Sequence, residues 1–242
     1  MHLPINKQAN QAEFDSASFL NALQISDSFF PTGMVTLSHA LETFVDEEGV
    51  NSVSNFKNLL EDYLRYQIGV TDSIALANSH KAAIVRNLPE IVKIDWMLGA
   101  VKFAKESRDS SIKSGRRMLE ICDRLTSDPI ILGLKREVEE GSSLGNYAVV
   151  LGVLSSTLGI PCQQAILIEL YSFAVSFLGA AMRLGRLNYL EVQDTLKNVT
   201  ETMLEVAAEN IDRSISEMRS FTPSIDIMGM KHERAERRLF IS

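Results

Sequence analysis

Cysteine is scarce in this chain. Only Cys122 and Cys162 occur, far apart and outside any CxxC pair. That excludes a disulfide framework and a zinc knuckle, and it points to a reducing, cytoplasmic setting. Phosphate loops are missing as well. No GxxxxGK[ST] occurs, and no two of the 13 glycines stand two apart, so a GxGxxG turn cannot form. Positive charge is in deficit: 24 Lys+Arg against 31 Asp+Glu give −7 with histidine neutral. Such a balance repels phosphate backbones and excludes general nucleic-acid binding. Period-two alternation is nearly absent, which excludes an extensive sheet. One apolar run, residues 165–184, has the length of a bilayer span, but Glu169, Ser172 and Ser176 interrupt it. We read it as a buried core helix, with no membrane segment. The first ten residues are polar and carry no signal-peptide core.

What the chain does contain is a 3.6-residue apolar period. With 242 residues and 45% hydrophobic content it can build one sizeable core. Phe56, Leu59, Leu60, Tyr63 and Leu64 share one face of a helix over 54–67 that Ser54 can cap. Leu196, Val199, Met203, Val206, Ala207, Ile211, Ile215 and Met218 form a stripe along a single long helix over 195–218. Breakers and caps place further helices over 16–26, 36–45, 71–86, 89–106, 110–125, from Pro129, 144–158 and 165–184. The fold class is therefore all-α: a single-domain bundle of about ten helices. It comprises a mobile arm (1–15), the helical domain (16–219) and a C-terminal tail (220–242).

Candidate chemistry is thin. Ser38, His39 and Glu42 hint at nucleophilic catalysis, but on a helix Ser38 and His39 point about 100° apart and cannot pair. His39 reads better as a surface or hydrogen-bonded core residue. His232 and Glu236 are four apart, yet HERAE lacks the second histidine of a zincin motif. A partner-facing charge cluster suits it better. Gly145, Ala148, Gly152, Ser155 and Gly159 recur at spacings of 3, 4, 3 and 4, a small-residue face suited to close packing within the chain or at a dimer interface. Arg108, Arg116 and Arg117 flank Ser114-Gly115 and can face a partner or pair with Glu106 and Glu120. After residue 220 the tail carries large apolar residues, among them Ile225, Ile227, Met228, Met230, Leu239 and Phe240, without a helical period, so it should be only lightly held until a partner covers it.

The segment LQISDSFFPTG (23–33) suggests a turn over Phe30–Gly33, with Pro31 second and Gly33 fourth. Both phenylalanines would anchor it, and Asp27 and Ser28 would satisfy backbone groups. This segment, followed by LSHALE (37–42), resembles the N-terminal signature of the urease accessory protein UreF family. KESRDSSIKSGRRML (105–119), GNYAVVLG (145–152) and AAMRLGRLN (180–188) resemble later blocks in order. Pro223, Asp226, Met230, His232-Glu233, Arg238-Leu239-Phe240 and Ser242 resemble its closing motif. Asn146 stands where the family commonly carries histidine, and Met34 and Thr36 depart from its Gly/Phe-rich pattern.

The resemblance implies a non-catalytic, all-helical protein without cofactor that forms a dimeric platform. That platform would bind accessory protein UreD (or UreH), recruit the nickel-carrying GTPase UreG, and serve nickel insertion into apo-urease. The tail residues Pro223, Asp226, His232, Glu233, Arg238, Leu239 and Phe240, with Arg108, Arg116 and Arg117, would form the partner-binding set. The alternative is a metallochaperone that itself binds nickel, through His232, Glu233 and Glu236 or through His39.

Overall fold

A computed structural model describes residues 15–32, 37–220 and 222–234. Among them there is no strand. The chain runs through α1 (Ser16–Ser26), α2 (Leu41–Glu47), α3 (Val53–Asp62), α4 (Asp72–Ile84), α5 (Leu88–Val101), α6 (Lys105–Leu125), α7 (Pro129–Glu139), α8 (Tyr147–Thr157), α9 (Cys162–Arg183), α10 (Tyr189–Asn198), α11 (Thr200–Asn210) and α12 (Pro223–Arg234). The all-α expectation holds, with twelve α-helices among the described residues in place of about ten.

Helix starts follow local chemistry. Asp15 caps α1 through the Ala17 amide; Asn87 and Asp128 cap α5 and α7, each with proline in the first turn. Asn188 and Glu191 form a reciprocal capping box at α10. Two starts are held by other helices. The Asp95 carboxylate on α5 accepts the amides of Leu144, Gly145 and Asn146 at 2.6, 2.7 and 2.9 Å, just before α8. Glu233 on α12 accepts the Glu106 amide at 2.7 Å, in the first turn of α6.

The core is built on α4, α8 and α9. Helices α4 and α8 lie close because α8 presents Gly152: a Cβ there would stand 2.5 Å from the Leu76 carbonyl oxygen and closer still to Ser79 Oγ. The small-residue face is thus internal. Moreover Gly145 and Gly159 lie outside α8, both with positive φ, so the five small residues do not share one helix. Among the described residues helix α9 alone has the length and apolarity to cross a membrane, and 67% of its most apolar window is buried inside the fold. Both cysteines are free.

Three expectations are corrected. The stripe over 195–218 belongs to two helices broken at Val199, followed by a 3-10 turn at Ile215–Glu217; both helices face the same core, so the apolar phase continues across the break. Residues 38–40 are not helical: His39 and Ala40 take φ of 53° and 58°, in the left-handed region. In the N-terminal segment the Phe30 amide donates to the Asp27 carbonyl, a turn that precedes the expected one over Phe30–Gly33, whose last residue lies outside the described residues. Phe30 is buried there, but Phe29 is 95% exposed. Asp27 Oδ1 accepts the Phe29 amide at 2.7 Å, while Ser28 and Pro31 are exposed; Gly33 lies outside the described residues.

Candidate functional site

Between the segment that precedes α2, the continuation of α3, and α6, α9 and α12 lies a cavity of about 100 Å³. At roughly 10–15 Å³ per water it has room for several. Helix α3 opens into it because its continuation, Tyr63–Ile68, widens to a π-turn closed by the Gly69 amide on the Leu64 carbonyl. Such widening recurs at functional sites. It turns Tyr63 and Gln67 toward the space. The Tyr63 hydroxyl donates to the His39 carbonyl at 2.7 Å, holding the left-handed segment in place. The His39 ring sits 4.5 Å from Phe173, with Nε2 2.9 Å from Ser176 Oγ. Burial first, then the Arg183 and Lys102 cations, lower its pKa to about 3, so the ring is neutral.

The opposite wall is polar. Ser107, Ser110, Ser111 and Ser114 line one face of α6 at helical spacing. Lys102 Nζ pairs with Asp72 at 2.7 Å, both largely buried, and Thr71 Oγ1 donates to the same carboxylate at 2.8 Å. Glu169 accepts from Ser73 Oγ at 3.3 Å. Burial, and secondly the charge of Asp72, push its pKa well above the usual carboxylate value. The residue that interrupts the apolar run of α9 is thus a buried acid on the polar wall of the cavity.

Helix α12 roofs the space with Ile225, Asp226 and Gly229. It is folded and packed against α2 and α6, with Ile225, Met228, Gly229 and His232 buried. The expectation of a lightly held segment from 220 is replaced, over 223–234, by a docked helix. Asp226 is half-buried and accepts from Thr222 Oγ1 at 3.4 Å; burial raises its pKa. Pro223 is exposed at the helix start. His232 is 1% exposed; Nδ1 lies 2.7 Å from Glu106 Oε2 and Nε2 3.3 Å from Glu42 Oε2. Both ring nitrogens are thus spent on carboxylates. Among the described residues no group of three or more His, Cys, Asp and Glu is placed to hold a metal. Glu236, Arg238, Leu239 and Phe240 lie outside the described residues.

The three arginines divide. Arg108 donates to the Lys102 carbonyl at 3.0 Å and Arg116 Nε to the Leu144 carbonyl at 3.0 Å; both brace loops, with no salt bridge to Glu106 or Glu120. Arg117 is exposed. Asn146 is fully buried and donates to the Asp95 carboxylate and carbonyl at 2.8 and 3.1 Å. The cavity wall of Asp72, Lys102 and Glu169 went unread in the sequence. Its signals were a lone acid inside an apolar helix and four serines at positions i, i+3, i+4 and i+7.

The UreF family model matches residues 50–200. A urease accessory protein UreF from Trichodesmium erythraeum is 30% identical over 226 residues, covering 93% of this chain and 97% of that protein. The chain belongs to the UreF family. Further relatives named urease accessory protein UreF, from Yersinia pseudotuberculosis and Yersinia pestis, are 24% identical over 226 residues, with 93% of this chain and 99% of theirs covered. His232 and Glu233 of this UreF-family member both fasten α12 to α6, through the Glu106 side chain and the Glu106 amide.

Proposed function

We propose that this chain is a non-catalytic scaffold of urease maturation. It binds accessory protein UreD (or UreH), recruits the GTPase UreG, and so supports nickel insertion into apo-urease in the cytoplasm. Membership of the UreF family, matched over 93% of the chain, supports a role in urease maturation. The scaffold reading is carried by α12. This helix is docked on α2 and α6 and carries Pro223, Asp226, His232 and Glu233 of the expected partner-binding set, and α6 exposes Arg117. The sequence holds no phosphate loop, so the nucleotide belongs to a partner.

Deleting residues 235–242 should leave thermal stability within about 0.5 kcal/mol of the full chain while abolishing co-purification with UreD and UreG. A truncated chain that still assembles at full yield would defeat the scaffold reading of the tail. Deleting 231–242 should differ, because it also removes the His232 and Glu233 contacts and loosens α12.

We propose that the chain self-associates through α1. Phe19, Leu20 and Leu23 are exposed on this helix, Leu20 by 63%, whereas the small-residue face of α8 is already filled by α4. An apolar face of this kind on a short helix suits burial against a second copy. Leu20→Glu with Leu23→Glu should convert the homodimer to a monomer in light scattering, with an unchanged melting temperature. A wild-type monomer at micromolar concentration, or a dimer that survives both changes, would remove this surface.

A further inference from the structure

Helix α12 is attached differently from the core helices. Helices α8 and α9 bury long runs of apolar side chains; α12 buries Ile225 and Met228. The rest of its hold is polar. His232 stands between Glu42 and Glu106, Glu233 takes the Glu106 amide, and Lys231 pairs with Glu47. Beneath it lies a cavity with one polar wall, the α6 serines with Asp72, Lys102 and Glu169, so lifting the helix gives water polar groups to meet on that side. Segments with few buried apolar contacts open first.

We propose that His232 is a proton-operated latch that holds α12 as a strap over the cavity. The strap is closed while the imidazole is a cation, and it lifts when the ring becomes neutral. A protonated ring donates from both nitrogens, one to each carboxylate. A neutral ring keeps one N–H, so either Glu42 or Glu106 is left facing a ring lone pair across a buried contact, and the cation between them is gone.

The surrounding charges fix the direction. From α2, Glu42 faces the ring, and Glu47 further along is engaged by Lys231. From α6, Glu106 faces it, while Arg108 is turned to the Lys102 carbonyl. On α12 itself, Glu233 holds the Glu106 amide, and Asp226 faces the cavity that Lys102 and Asp72 line. The Glu106 hydrogen bond first, with Glu42 adding to it against the effect of burial, holds the ring above its ordinary 6.5. A histidine raised in the fold stabilises fully below its unfolded value, and that stabilisation is lost as pH climbs through the folded one. The strap therefore opens on the alkaline side and uncovers the inner faces of α2 and α6.

The test is hydrogen exchange on the full chain from pH 6 to pH 9, corrected for the intrinsic pH dependence of exchange, with α8 as internal reference. Protection of α12 relative to α8 should fall at least about tenfold across that range. His232→Gln should flatten the slope, and Glu106→Gln should move the fall to lower pH. Parallel loss of protection in α12 and α8, or an unchanged slope in His232→Gln, would overturn the latch. Should the variants not fold, the wild-type chain decides by NMR. The His232 ring resonance and the Met228 methyl must change with one midpoint, and separate midpoints refute the proposal.

Discussion

Asp95→Ala should cost about 4–6 kcal/mol and leave the chain largely unfolded at 37 °C. Asp95 is fully buried, and its carboxylate accepts the Ser143 hydroxyl at 2.5 Å, three consecutive backbone amides from Leu144 to Asn146, and the Asn146 side chain. A carboxylate serving five donors, supplied by α5, pins the loop that leads into α8. Each buried donor stranded by its removal costs about 1–3 kcal/mol. Part of that is recovered if water enters the space the carboxylate leaves. The whole stability of a domain is only about 5–15 kcal/mol. Asp95→Asn keeps one acceptor and should lose about half as much. Urea unfolding followed by circular dichroism measures both. An alanine variant within about 1 kcal/mol of wild type would mean that the 143–146 segment finds other acceptors.

Two glycine substitutions should move stability in opposite directions. In a helix, alanine is favoured over glycine by about 1 kcal/mol. Gly179 on α9 is open to that gain: a Cβ there would meet only Arg183 Nη1, at 3.4 Å, the far end of a flexible side chain. Gly179→Ala should stabilise by about 0.5–1 kcal/mol. Gly115 on α6 is not open. Its Cβ would lie 2.8 Å from the Asn146 carbonyl carbon and the Tyr147 nitrogen, and nearer still to the Gly145 carbonyl oxygen. Those atoms are main chain, fixed by Asp95, and cannot turn aside. Gly115→Ala should destabilise by about 2–4 kcal/mol, the overpacking cost exceeding the propensity gain. Thermal melts of the two variants side by side give the signs directly.

Much of the fold was legible because its signals are local. Asn87 with Pro89 and Asp128 with Pro129 mark helix starts within four residues of chain, and Ser16–Ser26 matches the expected helix. The break at Val199 was not legible: periodicity reports which face is buried, and Val199, Met203 and Val206 stay buried on both sides of it. Nor were the left-handed backbones of His39 and Ala40, since nothing local asks two non-glycine residues to adopt them. They are held from elsewhere, by the Tyr63 hydroxyl and by Ser176. The candidate site fared worst. The partners of His232 lie 126 and 190 residues away in sequence, and no spacing rule reaches that far. The charged tail residues drew attention as a cluster, but which of them face inward depends on the helix that Pro223 starts.

The seam between α4 and α8 has a consequence in time as well as in space. Ser79 reaches the Val149 carbonyl across 70 residues of chain, and Ile74, Ala75, Leu76 and Ala77 are wholly buried only once α8 is in place. During synthesis α4 therefore emerges long before the surface that covers it. Closing so long a loop is an entropic cost met before any contact repays it. A nascent chain arrested before residue 147 should expose this apolar helix and be held by chaperones, and its release should coincide with the appearance of α8.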